Sequence, residues 1–578
     1  MILKDKIIAQ YATGDLLQLF VEQIRGHRSD EIGAAFRSAL IELHNTGMID
    51  VLQPAREIVV SPISQQDFFL VQSVYSEIIP QIVDTAPAML AAVKALVRRG
   101  GEDLAAGWPN SAFRTWAESG GRAREVVTLV DPSDPEDGAY VFLALTALAK
   151  TEPQAALDQA IAFLSGHDLP AQLGATKAIG GIPIGPAEER MRAFDALEAA
   201  RKVATSDDLL GQIVATAAEI ARKVPTEVPS ALQLIYAIAE NAGDHTIHRA
   251  VSTLMFEGGD LPPAILTALT KIARKIRIEN KGTLERLDSA AARLLRDGLV
   301  DEALALIVPI VSAHEELTSL EQLDTFAHGL LELENEGLAR IIVIWLISLE
   351  RNLGEAARNL LGYHHGDALV LEFDAAVFTL TDDEAIVLAH RSIGYLFLHP
   401  IAAASIALSL ARKASGKAQQ AIEEILFEPL LINFSGDLSE WLKTKAGDIS
   451  DPARPLIERL LSRLDRYLDG LRQVGRINEL HPSERERMID RHRQHELMNK
   501  AHKEAEKKSV LMSIVTRSVL IYGTRSISYF IDPSGKKHRN EMQLHSFSHN
   551  IEAPRLDIIE PFELDYTLRV FRAMKIAP

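Results

Sequence analysis

In the middle of the chain, turn signals separate helix-forming segments at nearly constant intervals. Gly259, Gly298 and Gly337 each mark a turn, so the interval is 39 residues twice, and Pro229 and Pro263, 34 residues apart, begin comparable helices. Glycine ends a helix readily because it adopts the left-handed backbone conformation found at many helix C-termini. Evenly spaced turns with a helix on either side are typical of arrays of two-helix repeats. The spacing therefore predicts a mainly α-helical body built from stacked hairpins.

The segments between these turns have helical periodicity. Five apolar residues with the spacing i, i+3, i+4, i+7 and i+8 predict one buried stripe: Ala303, Leu306, Ile307, Ile310 and Val311. Pro309 lies within this segment and predicts a kink. The pattern resembles HEAT- and armadillo-like α-solenoids, clearly over 200–470 and less so over 66–200. The resemblance implies a long surface suited to protein or peptide partners.

Composition narrows the chemistry that the chain can perform. Its 578 residues include no cysteine, which excludes disulfides, thiolate metal sites and a cysteine nucleophile. The N-terminus lacks the pattern of a secretion signal, and the longest apolar run, around 341–348, is far shorter than a bilayer requires. We therefore expect a soluble, cytoplasmic protein without a membrane partner.

The character of the sequence changes near residue 480. We predict an N-terminal helical cap with a weak likeness to a winged helix over 1–65, a short β-like run at 57–60 included. A helical-repeat solenoid over 66–480 and a charged helix over 481–512 follow. A small antiparallel β-rich module is predicted for 513–578. The β-prone runs that predict this module are 519–522, 527–531, 540–549 and a last strand with Tyr566, Leu568 and Val570 on one face.

Charge is distributed unevenly along the chain. The net charge is −18, but residues 481–578 hold 17 basic and 13 acidic side chains, so the first 480 carry −22. An acidic body repels nucleic acid at long range, which makes the C-terminal region the candidate for such a contact. The candidate contact residues for a partner or a nucleic acid are Arg485, Arg491, Arg493, Lys500, Lys507, Lys508, Arg525, Lys536, Lys537, Arg539, His545 and His549.

No catalytic motif is found in the chain. Gly416-Lys417 lacks the flanking residues of a phosphate-binding loop, and no Gly-x-Ser-x-Gly elbow occurs. A weak metal candidate is the cluster of His364, His365 and Asp367, which would need ligands from other helices. We therefore predict no catalytic residue and no cofactor.

These patterns favour a non-enzymatic scaffold or partner-binding subunit of a multi-protein assembly. The solenoid surface would bind a protein partner, and the C-terminal module would be a cap or a second docking site. One alternative is a nucleic-acid-associated subunit that contacts DNA or RNA through 481–578. Another is an enzyme with a site near His364, His365 and Asp367. The sequence leaves the oligomeric state open.

Overall fold

A computed structural model gives the fold. It describes residues 2–27, 31–101, 103–119, 121–183, 185–364, 368–474, 482–508, 518–522, 525–531, 537–543, 552 and 554–575. These residues form 29 α-helices and three strands, so the protein is mainly α-helical. The chain divides into two compact units, Met1–Leu333 and Glu334–Pro578, called the first and second units below.

The regular elements among the described residues of the first unit are all helices. Its helices are α1 Ile2–Thr13, α2 Leu16–His27, α3 Glu31–Asn45, α4 Leu52–Arg56, α5 Gln65–Ile78, α6 Ala86–Gly100, α7 Trp108–Ala117, α8 Arg122–Leu129, α9 Gly138–Leu148, α10 Pro153–Leu164, α11 Leu169–Gly181, α12 Ala187–Val203, α13 Asp207–Lys223, α14 Val228–Ala239, α15 Asp244–Glu257, α16 Pro263–Ala273, α17 Lys281–Arg296, α18 Val300–Ala313 and α19 Asp324–Leu331.

Helices of the first unit pack in two layers. From α9 to α19, each odd-numbered helix lies beside the next odd-numbered helix, while α10, α12, α14, α16 and α18 form the second layer. Carboxylates join neighbouring hairpins: Asp207 at the start of α13 accepts hydrogen bonds from the N-terminal N–H groups of α15. Asp288 of α17 does the same for α19 through Thr325 and Phe326. These bonds satisfy helix-terminal donors that would otherwise lack partners.

Most local sequence predictions for this unit are confirmed. Gly298 has φ +79° after α17, and all five residues of the stripe from Ala303 to Val311 are buried. Pro229 and Pro263 lie in the first turns of α14 and α16. The β-like run at 57–60 was wrong, because Ile58–Val60 form a 3₁₀ turn after α4.

The second unit combines helices with a small sheet. Its elements are α20 Asn335–Ile347, α21 Arg351–Gly362, α22 Asp382–Leu396, α23 Pro400–Ala411, α24 Gly416–Ile425, α25 Asp437–Ala446, α26 Arg454–Val474, α27 Glu484–Lys508, β1 Ser518–Tyr522, β2 Arg525–Ile531, β3 Lys537–Gln543, α28 Arg555–Ile559 and α29 Pro561–Ala573. Gly337 lies in the first turn of α20, so the predicted turn there is displaced by a few residues.

The three strands form an antiparallel sheet in the order β1-β2-β3, with Leu520 opposite Ile527 and Ile527 opposite Glu541. The runs predicted at 519–522 and 527–531 fall within β1 and β2. The run predicted at 540–549 overlaps β3 as far as Gln543, and the rest of it lies outside the described residues.

The last predicted strand was wrong. Tyr566, Leu568 and Val570 belong to α29, which packs against α22. Leu564 and Leu568, four residues apart, form the buried face of this helix. Apolar residues at i, i+2 and i+4 are also compatible with a helix that has apolar residues on two faces. Here the packing of one face against α22 stabilises the helix.

The C-terminal segment is fixed to the helices of the second unit by specific polar contacts. Glu552 accepts hydrogen bonds from the N–H groups of Gly436 and Asp437 at the start of α25. Asn433 accepts one from the N–H of Leu556. Arg391 of α22, only 2% exposed, donates to carbonyl oxygens in the last turns of α20 and α29. The negative ends of two helix dipoles thus face one buried guanidinium.

In the part of the chain that the structure describes, no helix combines the length and the apolar character needed to span a membrane.

Candidate functional site: a cationic groove in the first unit

Five side chains on successive odd-numbered helices line two adjoining cavities. They are Phe142 of α9, Lys177 of α11, Gln212 of α13, Arg249 of α15 and Arg286 of α17. Their spacings are 35, 35, 37 and 37 residues, which places each on the next helix of the odd-numbered layer. Because these five residues line the same two adjoining cavities on neighbouring helices, they form one row, which we call the ladder.

Three residues of the ladder are cations without a carboxylate partner. Lys177 lies with its ammonium 4.4 Å from the centre of the Phe142 ring, and Arg286 donates to the Ser252 hydroxyl at 2.8 Å. Within the described ranges, none of Lys177, Arg249 and Arg286 forms an ion pair. Desolvation by the surrounding protein, and then the positive charge of Arg249, lower the pKa of Lys177. Like charges held together in this way favour an anionic ligand.

Cations elsewhere in the first unit are commonly paired. Arg98 and Glu136 form an ion pair at 2.6 Å, and Arg190 and Glu227 form another at 2.8 Å. Both pairs connect residues of neighbouring hairpins. In this acidic body, arginines therefore often find a carboxylate partner on the next hairpin. Among the described residues, cations without an ion pair also occur outside the ladder, Arg274 and Arg296 for example, so what distinguishes the ladder is that its unpaired cations lie in one row along adjoining cavities.

The larger cavity has a volume of about 560 Å³ and lies between α7, α9, α11, α13 and α15. This size is typical of preformed ligand sites. Its apolar wall includes Phe142, Leu143, Leu169 and Leu173. Asn110 of α7 also lines it, and the Oδ1 of Asn110 is buried without a hydrogen-bond donor among the described residues.

The second cavity, about 300 Å³, continues along α13, α15 and α17 and contains two carboxyl groups. Arg222 donates two hydrogen bonds at 2.8 Å to Glu219, and Lys223 lies 2.9 Å from the same carboxylate. Burial, and then the charge of Glu219, raise the pKa of Glu257 to about 7. Glu257 is therefore partly protonated near neutral pH, which keeps this end of the groove from becoming strongly acidic.

The predicted C-terminal contact residues belong to the second unit, whereas the ladder belongs to the first. Arg485, Arg491, Arg493, Lys500 and Lys507 are exposed along α27. Lys537 and Arg539 are exposed on β3, and Arg525 begins β2. Lys536, His545 and His549, together with the side chain of Lys508, lie outside the described residues.

The weak metal candidate is only partly described. His364 is half-buried after α21, and its charge contributes after burial to lowering the pKa of His399. His365 and Asp367 lie outside the described residues. The nearby Glu372 is already engaged by Arg412 and Lys445, at 2.9 and 2.7 Å.

Another cluster of possible metal ligands comprises His44, Asp50 and Asp84, a grouping that sequence reasoning missed. The Nδ1 of His44 accepts a hydrogen bond from the N–H of Val51, so the proton lies on Nε2, 3.5 Å from Asp84. Asp50 accepts from the N–H of Leu52 and pairs with Arg56. Each member is thus occupied by protein partners, and the cluster serves the packing of α3, α4 and α6.

Sequence reasoning also missed the ladder. A signal was present, because the intervals of 35 and 37 residues between its members lie between the 34 residues that separate two predicted helix starts and the 39 that separate the predicted turns. Comparison with family models, with curated proteins and with solved structures gives no match. Function has to be inferred from the chemistry of the groove itself.

Proposed function

We propose that this protein is a non-enzymatic partner-binding subunit that holds an extended, acidic polypeptide segment along the ladder. The observation that carries the proposal is the row formed by Lys177, Arg249 and Arg286, three cations without carboxylate partners that line adjoining cavities. An acidic segment would supply the missing counter-charges. The stacked hairpins of the first unit would then function as a HEAT-like solenoid, with the ladder on its binding face.

The dimensions of the row suit an extended chain. Packed helices lie about 8–10 Å apart, so the three interhelical steps from α11 to α17 span roughly 25–30 Å. An extended polypeptide advances about 3.3–3.6 Å per residue, so about eight residues cover this distance. Acidic residues at about every third position would match successive helices.

The surrounding charge favours a short acidic segment over a long polyanion. The first 480 residues carry a net charge of −22, so a long polyanion that extends beyond the groove would lie close to an acidic surface that repels it. A peptide confined to the groove meets the local cations and little of the acidic body, since charges farther than about 8–10 Å are screened at physiological salt.

The test is the binding of a fluorescent 12-residue peptide in which glutamate recurs every third position, measured by anisotropy with the full chain. In Lys177→Ala/Arg249→Ala we expect an affinity at least about 10-fold lower, since hydrogen bonds to charged groups contribute about 1.5–3 kcal/mol each. The matched control is Arg274→Ala/Arg296→Ala, which removes two exposed cations outside the ladder. Equal affinity of the wild type and the ladder variant contradicts the proposal.

The same assay separates the proposal from a nucleic-acid function. A single-stranded oligonucleotide is added as competitor, and Arg491→Ala/Arg493→Ala is compared with the ladder variant. Tight oligonucleotide binding that depends on Arg491 and Arg493 but not on Lys177 would favour the nucleic-acid alternative. If the oligonucleotide competes with the peptide on the wild type and on Arg491→Ala/Arg493→Ala but not on the ladder variant, the polyanion binds in the groove instead.

A further inference from the structure

We infer that the larger cavity receives the C-terminal residue of the bound partner: an apolar side chain, a free α-carboxylate and the last amide N–H. This inference rests on the proposed function, because it identifies which part of an acidic polypeptide begins the row. Three features of the cavity each require a different chemical group, and a chain terminus supplies all three within one residue.

The first feature is the pair of cations at the mouth of the cavity. Lys177 and Arg249 both line it, and they are close enough for the charge of Arg249 to act on Lys177. The Phe142 ring lies against the Lys177 ammonium and limits its freedom. Asp208 also lines the cavity, but its carboxylate pairs with His245 at 3.0 Å. Two converging cations that form no ion pair among the described residues suit a carboxylate, whose two oxygens accept from separate donors.

The second feature is the apolar wall. Leu169 and Leu173 of α11 are half-buried, and Leu143 of α9 is 8% exposed beside them. Close approach of α9 and α11 shapes this wall, because a Cβ on Gly174 would lie 2.3 Å from the carbonyl oxygen of Gly138. The wall removes an apolar side chain from water, which favours leucine, isoleucine, valine or phenylalanine over a polar side chain.

The third feature is the unmet acceptor. The Oδ1 of Asn110 is buried at the cavity and receives no hydrogen bond from the described residues. Buried acceptors are almost always satisfied, so this oxygen favours a ligand that carries a donor. The N–H of the terminal residue lies beside both its side chain and its carboxylate, which suits a cavity that holds all three groups.

Other anions match fewer of these features. An internal glutamate has a carboxylate and a backbone N–H but no apolar side chain of its own. A fatty acid has the carboxylate and the apolar chain but no donor for Asn110. Inorganic phosphate lacks the apolar part. The terminal residue of a polypeptide is thus the occupant that the cavity fits best.

The test compares three fluorescent peptides on the full chain: an acidic 12-residue peptide ending in Leu-Leu with a free carboxylate, its C-terminal amide, and a peptide with the same free terminus but glutamine in place of glutamate. We expect the amide to bind at least 10-fold more weakly than the free acid. Asn110→Ala should weaken the free acid several-fold, whereas Arg274→Ala should leave it unchanged.

The outcomes separate this inference from the proposed function. Equal, ladder-dependent binding of the acid and the amide overturns the terminal pocket and leaves the acidic groove standing. Binding of the glutamine peptide as tight as that of the acidic peptide, with dependence on Lys177 and on the free terminus, supports the pocket and overturns the acidic groove. Binding of none of the three peptides overturns both.

Discussion

The carboxylate of Asp207 connects α13 to the start of α15, two helices that contribute to the ladder. It accepts hydrogen bonds from the backbone N–H groups of Gly243, His245 and Thr246 at 2.8–3.0 Å, and from the Thr246 hydroxyl at 2.6 Å. These donors form the N-terminus of α15, the helix that presents Arg249. Substitution of Asp207 by alanine should therefore loosen the start of α15 and weaken the groove.

The expected loss of local stability follows from the hydrogen-bond donors that the substitution leaves without an acceptor. Asp207→Ala removes the acceptor of four hydrogen bonds. A capping side chain generally contributes about 1 kcal/mol to stability, and a hydrogen bond to a charged acceptor contributes about 1.5–3 kcal/mol. Asp207 is half exposed, so water replaces part of the lost bonding. We expect a local loss on the order of 2–3 kcal/mol for alanine and about 1 kcal/mol for asparagine, which keeps one acceptor.

Hydrogen exchange of the amides in the first turns of α15 measures this loss locally, which matters in a chain of two units whose global unfolding need not be two-state. A loss of 2–3 kcal/mol corresponds to exchange roughly 30- to 150-fold faster. The control is Asp208→Ala, a neighbouring exposed carboxylate that pairs with the His245 side chain but, among the described residues, accepts no hydrogen bond from the backbone N–H groups of α15. Unchanged exchange in Asp207→Ala, or equal effects in both variants, would refute the reasoning.

The same contact predicts a pH dependence. Burial opposes ionisation of Asp207, but the hydrogen bonds from Thr246, Gly243 and His245 outweigh it and lower the pKa. The stabilisation is therefore present above the usual carboxyl pKa of about 4 and is lost as the pH falls through the lower folded value. Exchange at the start of α15 should rise in acid in the wild type, and Asp207→Asn should remove this rise.

Three further predictions concern other parts of the molecule. Gly394→Ala should weaken the packing of α29 by about 1–3 kcal/mol, because the new Cβ would lie 2.9 Å from the backbone nitrogen of Arg572. Limited proteolysis near α29 should then be faster than in the wild type. Arg391→Met should lower the free energy of unfolding of the second unit by roughly 3 kcal/mol, measured in urea, because two helix-terminal carbonyls lose their donor. Raising the pH from 6 to 8 should weaken the binding of the acidic peptide about 3- to 10-fold. The reason is that Glu257, whose pKa is raised to about 7, becomes charged beside the ladder in this range. Glu257→Gln should therefore abolish the pH dependence.

Each of these has a contradicting result. Proteolysis of Gly394→Ala at the wild-type rate would show that α29 tolerates the extra methyl group. An unchanged urea midpoint for Arg391→Met would mean that water replaces the lost donors. A pH profile that is the same in Glu257→Gln and the wild type would assign the titration to another group.

The body of the fold could be predicted because its signals are local. Gly298 has the backbone conformation that its place after an apolar segment implied, and the stripe from Ala303 to Val311 is buried as its periodicity indicated. The C-terminal helix could not be predicted in this way. Tyr566, Leu568 and Val570 alternate as in a strand, and only the packing of Leu564 and Leu568 against α22 selects the helix.

The candidate site was harder to predict because it consists of single residues separated by whole repeats. Nothing in the immediate sequence distinguishes Lys177 or Arg249 from an exposed cation with an acidic partner. The relation appears only when equivalent positions of α9, α11, α13, α15 and α17 are aligned by the packing. Asp207 is a similar case, since its side chain caps a helix that begins 37 residues later.

The buried guanidinium of Arg391 has a consequence for how the second unit is made. One of its two acceptors, the carbonyl of Arg572, lies 181 residues farther along the chain and is synthesised long after α22. Until α29 arrives, Arg391 has only the carbonyl of Leu346, and its Nη2 finds no acceptor among the described residues even afterwards. A variant that stops short of α29 therefore exposes this guanidinium to water, which replaces one protein acceptor. The docking of α29 thus couples the burial of this charge to its second hydrogen bond with protein.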